Sequence, residues 1–214
     1  MCPEYPPDEL LAILRKDGPR LLEQFFVPEP DTDALIKQSV AGNSFRGFSG
    51  MQPAEAYRGW ARGAMSFGAV ADLGEVTAQE QYDALLDRRC RDLTKFWLAK
   101  TGKELGYGPV HKLVNSLHKF MVRDVGVSAA GRERVIPLLH VPHDKHCLAA
   151  VRLSAASGQY GAPLAITPSS PAGFVVAVAQ YDAFQGLLRG IAAAAGVPPI
   201  CVDLLAWDRA HEAE

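Results

Sequence analysis

The segment TAQEQYDALLDRRCRDLTKFWLAKTG, residues 77–102, limits the fold more than any other part of the chain. Tyr82, Leu85, Leu86, Cys90, Leu93, Phe96 and Trp97 recur at three- and four-residue steps, which places them in one apolar stripe on a long helix. Thr77 followed by Glu80 is the pattern of a capping box at its start. A helix with one apolar stripe is stable only when other helices or a sheet cover that stripe. Strand-like alternation is scarce elsewhere, apart from the ambiguous GFVVAVA at 173–179. The expected class is therefore mainly α, with about eight helices. The segments are unequal, which argues against a solenoid.

Local signals place the other helices. Residues 1–8 read as a disordered arm, and Asp8 as the cap of a first helix reaching about residue 26, interrupted at Gly18-Pro19. Asp31 or Thr32 caps a second helix, DTDALIKQSVAG, ending at Gly42. NSFRGFSGMQP is a glycine-rich connector, and Pro53 followed by Glu55 opens PAEAYRGWARGAMSFG. Gly106 and Gly108-Pro109 close the long central unit, and a further helix runs from about 110 to 122. Its apolar face is Leu113, Val114, Leu117, Phe120 and Met121, opposite Lys112, Asn115 or Ser116, Lys119 and Arg123. DVGVSAAGRERVIPLLHVPH reads as a connector to a helix over about 144–155. Helical phase returns over about 172–195, stops at Gly196-Val-Pro-Pro, and resumes in ICVDLLAWDRAHE. The expected division is an arm and first helix over 1–30, an N-terminal helical lobe over 31–105, and a second helical lobe with the C-terminal helix over 106–214, one compact unit.

Charge and cysteine usage narrow the function classes. The net charge is −2 and the pI about 6.3, so no global basic field points to nucleic acid. Basic residues nevertheless cluster, with Arg88, Arg89, Arg91, Lys95, Lys100, Lys103, Lys112, Lys119 and Arg123 inside 36 residues. Such a run is ordinarily a solvated helix face. The four cysteines are widely spaced with no C-x-x-C pair, which disfavours a zinc ribbon or iron–sulfur loop and fits a reducing compartment. The acidic, proline-rich start does not read as a signal peptide, and no apolar run is long enough to span a bilayer. The expectation is a cytoplasmic monomer without cofactor or metal.

Three constellations carry candidate chemistry. HVPHDKHC gathers His140, His143, His146 and Cys147 around Asp144. A proline separates the first two histidines and H-E-x-x-H is absent, so a helix start capped by Asp144 is the stronger reading than a metal site. His111-Lys112 and His118-Lys119 repeat at seven residues, which sets two lysines on one face of a largely apolar helix. A lysine that is partly desolvated becomes a nucleophile suited to Schiff-base chemistry, and a carboxylate at a helix N-terminus is held and aimed. In GVPPICVDLLAWDR, Asp203 and Trp207 stand four apart, an indole beside a carboxylate on one helix face. G-x-G-x-x-G, P-loop, G-x-S-x-G and kinase motifs are absent, which disfavours a nucleotide-cofactor enzyme.

These segments, in this order, resemble the archaeal 8-oxoguanine DNA glycosylases, a branch of the helix-hairpin-helix glycosylase superfamily. HKLVNSLHKF is similar to a family helix that begins with a lysine and carries a second one seven residues later. HVPHDKHCL resembles the family's Val/Ile-Pro-x-Asp element, and the 32 residues from Lys112 to Asp144 equal the family interval. GVPPICVDLLAW matches the family's closing Gly-Ile/Val-Pro-Pro-x-x-x-Asp-x-Leu-x-Trp segment. The likeness covers roughly residues 108–210.

The resemblance implies two helical lobes with an active-site cleft between them, and damaged DNA as the partner. It implies Lys112 as the nucleophile at C1′ of the damaged nucleotide and Asp144 as the stabiliser of an oxocarbenium-like transition state. Asp203 and Trp207 would line the flipped-base pocket, Trp207 by stacking, with Lys119 at its edge. The expected activity is release of an oxidised purine, 8-oxoguanine first, followed by β-elimination. The chain departs from the family at Ser116, where the family has an aromatic residue, and it lacks a recognisable Pro-Gly-Val-Gly hairpin in 124–140. The alternatives are a glycosylase for another base without lyase activity, a non-catalytic DNA- or partner-binding protein on the same scaffold, and a metal-dependent hydrolase built on the histidines.

Overall fold

The computed structural model describes residues 4–40, 45, 52–166, 175 and 177–212. Its helices, numbered in chain order, are α1 (Pro7–Phe25), α2 (Thr32–Ser39), α3 (Pro53–Ala64), α4 (Phe67–Gly74), α5 (Gln79–Thr101), α6 (Tyr107–Met121), α7 (Ala129–Val135), α8 (Lys145–Ser157), α9 (Val178–Ala195) and α10 (Ile200–Glu212). A 3-10 turn, Ile136–Leu138, follows α7. The mainly α class holds, and among the described residues the non-helical pairing is one bridge between Glu29 and Asp124.

The chain forms two units that are not those expected from sequence. One is continuous, Val27–Leu139, and the other joins Met1–Phe26 to His140–Glu214. The helix carrying Lys112 therefore belongs with α5, not with the C-terminal helices. In the continuous unit, α3 and α6 both lie on α5, α2 packs on α3 and α6, and α4 packs on α7. Tyr82, Leu85, Leu86, Cys90, Leu93 and Trp97 are buried as the stripe predicts, with Phe96 half-buried. Gly102, at φ 67°, ends α5 in the left-handed conformation that a side chain disfavours. The cap at the other end differs from expectation. Gln81, one residue past Glu80, reaches back to accept from the Thr77 backbone N–H at 2.9 Å.

The connector after α6 also differs, because α7 forms within it. Ser128 caps α7 by accepting from Gly131 N at 3.0 Å. Asp124 organises the preceding turn from a buried position. Its Oδ1 accepts from Gly126 N at 2.8 Å, its Oδ2 accepts from the Thr32 hydroxyl at 3.1 Å, and its carbonyl accepts from Arg132 at 3.2 Å. α6 itself starts earlier than expected, at Tyr107. Pro109 lies in the first turn, where no helical N–H is needed.

In the discontinuous unit α10 packs on α1 and α8, and α9 packs on α1. α1 starts at Pro7 with Pro6 as its cap position, so Asp8 is a first-turn residue rather than the cap. Within the arm expected to be disordered, Tyr5 is buried and Glu4 pairs with Arg152. Gly18-Pro19 does not interrupt α1. Contacts on both sides of the dipeptide outweigh the missing N–H: before it, Arg15 donates to the Ala194 carbonyl at 2.8 Å and Arg209 pairs with Asp17 at 2.6 Å, and after it Arg20 pairs with Asp208 at 3.5 Å. Gly18 is small for a reason, since an added Cβ would lie 3.1 Å from Val197. α2 is capped by Asp31 and ends at Ser39, while the expected stop at Gly42 and most of the 43–53 connector lie outside the described residues. Of the GFVVAVA stretch, only the part from Val178 onward is described as an element, and it is helical.

Two outcomes follow. Asp124→Ala removes two side-chain acceptors from buried surroundings and lowers unfolding free energy by about 1–3 kcal/mol in a denaturant titration. Burial pushes the Cys201 thiol up to about 12 and raises that of Cys90 as well. In a Cys2→Ser background, native protein at pH 8 shows no fast reaction with a thiol reagent, and three thiols react after unfolding. The stability from the raised Cys201 thiol is complete below the ordinary value of about 8.5 and is lost as pH climbs towards the folded one.

Candidate active site

The sequence places Asp144 directly before a helix, and the structure makes it the N-cap of α8. Its Oδ1 accepts from the backbone N–H groups of His146 and Cys147, both at 2.9 Å. Its Oδ2 accepts from the indole N–H of Trp207 at 2.5 Å. Three N–H donors and the positive end of α8 thus converge on one carboxylate that is 6% exposed. Oδ1 is occupied by the cap. Oδ2 accepts a single bond among the described residues, so a lone pair remains for developing positive charge.

Trp207 and Asp144 are two of the residues singled out from sequence, and they meet in the discontinuous unit. Their relation differs from the expected one. The indole N–H is directed to Asp144 rather than into a base pocket beside Asp203. One face of the indole is covered by His211, with ring centroids 5.1 Å apart and planes within 10°. The His211 Nδ1–H donates to the Trp207 carbonyl at 2.8 Å, and His146 lies against the same indole at 5.0 Å. Asp203, one turn earlier on α10, is fully buried.

The histidines of HVPHDKHC have separate environments. Arg189 donates to His140 Nε2 at 2.5 Å, so that nitrogen is an acceptor and the ring is the Nδ1–H tautomer. Nδ1–H then donates to the Tyr181 hydroxyl at 2.7 Å. His143 is fully buried, edge-on to Tyr181 and Phe184. No group of three histidine, cysteine or acidic side chains suited to a metal ion occurs among the described residues.

Lys112 and Lys119 lie in the continuous unit on α6, two turns apart. Lys112 is half-buried and makes no ion pair or hydrogen bond within its own unit among the described residues. Lys119 is 7% exposed, and its amine lies 5.1 Å from the Phe120 ring centroid. The two histidines beside them pack rather than line an open face. His118 shares a hydrogen bond with the Tyr82 hydroxyl at 3.1 Å, and His111 stacks on Tyr107 at 4.0 Å. Asn115, expected on the polar face, is buried, and Ser116 is half-buried. Gln38 accepts from Arg123 at 2.9 Å on the surface of the same unit.

Sequence reasoning missed Gln185 and Arg189. Gln185 interrupts an apolar stretch of α9, and that interruption was the available signal. Comparison of the chain with known protein families, with functionally characterised proteins and with solved structures gives no match. No single helix among the described residues is long and apolar enough to cross a membrane.

Trp207→Phe keeps an aromatic ring against His211 and removes the donor to Asp144. It should cost about 1.5–3 kcal/mol in chemical denaturation, the range for a hydrogen bond to a charged group.

Proposed function

We propose that this chain is a DNA glycosylase that excises an oxidised purine, 8-oxoguanine first among them, with an associated lyase step. The observation that carries the reading is the bond between Trp207 and Asp144. It joins the Val-Pro-x-Asp element to the closing Pro-Pro…Asp-x-Leu-x-Trp segment, which had been linked only by resemblance. A capped, immobilised carboxylate is what a reaction with cationic character at carbon requires. The scaffold proposed is the two-lobed helix-hairpin-helix kind, with the reactive cleft between its lobes.

In this mechanism the deprotonated amine of Lys112 attacks C1′ as the bond from C1′ to the base breaks. The base departs with that electron pair and acquires a proton. Negative charge on Asp144 Oδ2 stabilises the oxocarbenium character at C1′. The Lys112 nitrogen gives up a proton, the C1′–O4′ bond breaks with O4′ taking up a proton, and the C1′–nitrogen bond becomes a protonated Schiff base; loss of a proton from C2′ then breaks the C3′–O bond and expels the 3′ phosphate. Lys119 and Asp203 contribute to base recognition. Trp207 acts first on the carboxylate, and the part of the indole that His211 and His146 leave uncovered is what it offers for stacking. Flipping costs a few kcal/mol, which contacts in the pocket return.

The test is a cleavage panel of damaged oligonucleotides with borohydride trapping. Wild type should release 8-oxoguanine and yield a cross-linked species. Lys112→Gln should abolish the cross-link, and Asp144→Asn should slow base release by about 100- to 1000-fold, as for loss of one preorganised electrostatic group. Persistent cross-linking in Lys112→Gln would move the nucleophile to Lys119. Base release without a cross-link in wild type indicates a glycosylase lacking the lysine intermediate. Salt-sensitive binding without base release indicates a DNA-binding protein.

A further inference from the structure

We infer that Tyr181, Gln185 and Arg189 of α9 are positioning residues that hold the Asp144 carboxylate from a distance, with Gln185 as the main clamp; this rests on the reading of Asp144 as the working carboxylate. Residues 139–144 enter α8 without regular secondary structure, yet Leu139, His140, Val141, Pro142, His143 and Asp144 are all buried. A buried irregular segment has no helix or sheet to satisfy its backbone, so other groups must do so. Gln185, 2% exposed, does this for Val141 on both sides. Its Oε1 accepts from Val141 N at 3.0 Å, and its Nε2 donates to Val141 O at 2.9 Å. The side-chain amide thereby takes the place of a neighbouring strand.

Tyr181 and Arg189 stand four residues before and four residues after Gln185, on the same face of α9. Both bind the His140 ring, one at each nitrogen. Three residues of one helix face thus fasten two consecutive residues, His140 and Val141. The next turn is closed by the Asp144 N–H on the Pro142 carbonyl at 3.1 Å. Val141, the residue that Gln185 holds, stands three positions before Asp144, and no intervening element absorbs a shift. A displacement of Val141 therefore changes where Oδ2 lies relative to the Trp207 indole on α10.

That bond supplies a signal independent of any substrate. The chain has three tryptophans, and the indole N–H of Trp207 reports on Asp144, whereas Trp60 and Trp97 lie in the continuous unit. The experiment records the indole ¹H–¹⁵N resonances of the full chain, assigned with Trp207→Phe. Asp144→Ala defines the position of the released indole. Gln185→Met preserves length and removes both clamp bonds. It should move the Trp207 resonance at least halfway to the released position while Trp60 and Trp97 stay in place. Gly186→Ala, on the same helix with open space around it, should leave all three unchanged. In the base-release assay Gln185→Met should lose about 10- to 100-fold in single-turnover rate, as expected for a small misplacement of a reacting group.

A folded Gln185→Met protein with an unmoved Trp207 resonance overturns the inference. If that variant does not fold, Tyr181→Phe decides, because it deletes one His140 anchor and keeps the ring. A smaller shift in the same direction supports the clamp, and no shift overturns it. The two readings fail separately. An indole that shifts as expected in a protein that releases no base removes the glycosylase reading and leaves the clamp. Base release at the wild-type rate in Gln185→Met, with an unmoved indole, removes the clamp and leaves the glycosylase.

Discussion

The carboxylate of Asp144 is the point on which the discontinuous unit converges. One oxygen starts α8 and the other is bound from α10, so a single side chain fixes the relation of two helices. The chain on its N-terminal side is fastened by α9. α1 packs on all three of these helices, α8, α9 and α10. An aspartate used only as a helix cap would be common and replaceable by serine, threonine or asparagine at small cost. Here the second oxygen carries an aromatic N–H as well, and the surrounding side chains restrict its motion. Two structural duties, capping α8 and binding α10, are thus combined in one group.

Much of the helical pattern was legible because helix signals are local. The apolar stripe of α5, the Asp31 cap and the Asp144 cap all depend on residues within one or two turns. α7 was not legible. Its sequence AAGRERV has little apolar periodicity, and its helix is set by the Ser128 cap and by arginines reaching carbonyls elsewhere, including Arg134 to Gly74. The continuity of α1 through Pro19 was hidden for the same reason, since contacts about 180 residues away along the chain (179 for Arg15 with Ala194) decide it.

At the candidate site, residue types were legible and pairings were not. Asp144 and Trp207 could be singled out separately, but they stand 63 positions apart, and spacing carries no information about such a contact. Sequence put Trp207 with Asp203, its neighbour on the helix face. The structure directs the indole N–H across to another helix instead. Histidines told even less from their positions. His118 and His140 each bind a tyrosine hydroxyl, and nothing in the spacing distinguishes these packing roles from ligand roles.

The discontinuous unit also has a consequence for the order of events at synthesis. α1 leaves the ribosome first, but its partners α8, α9 and α10 are encoded after the whole of Val27–Leu139. The continuous unit has all of its sequence available earlier and can complete its core while α1 waits with Leu10, Leu14 and Leu21 uncovered. Pairs such as Asp17 with Arg209, 192 residues apart, close last. Such long-range closure slows folding and leaves a hydrophobic helix open to chaperones in the interval. A chain cut before Ile200 would lose α10 and with it a surface on which α1 settles, although α1 itself would be intact.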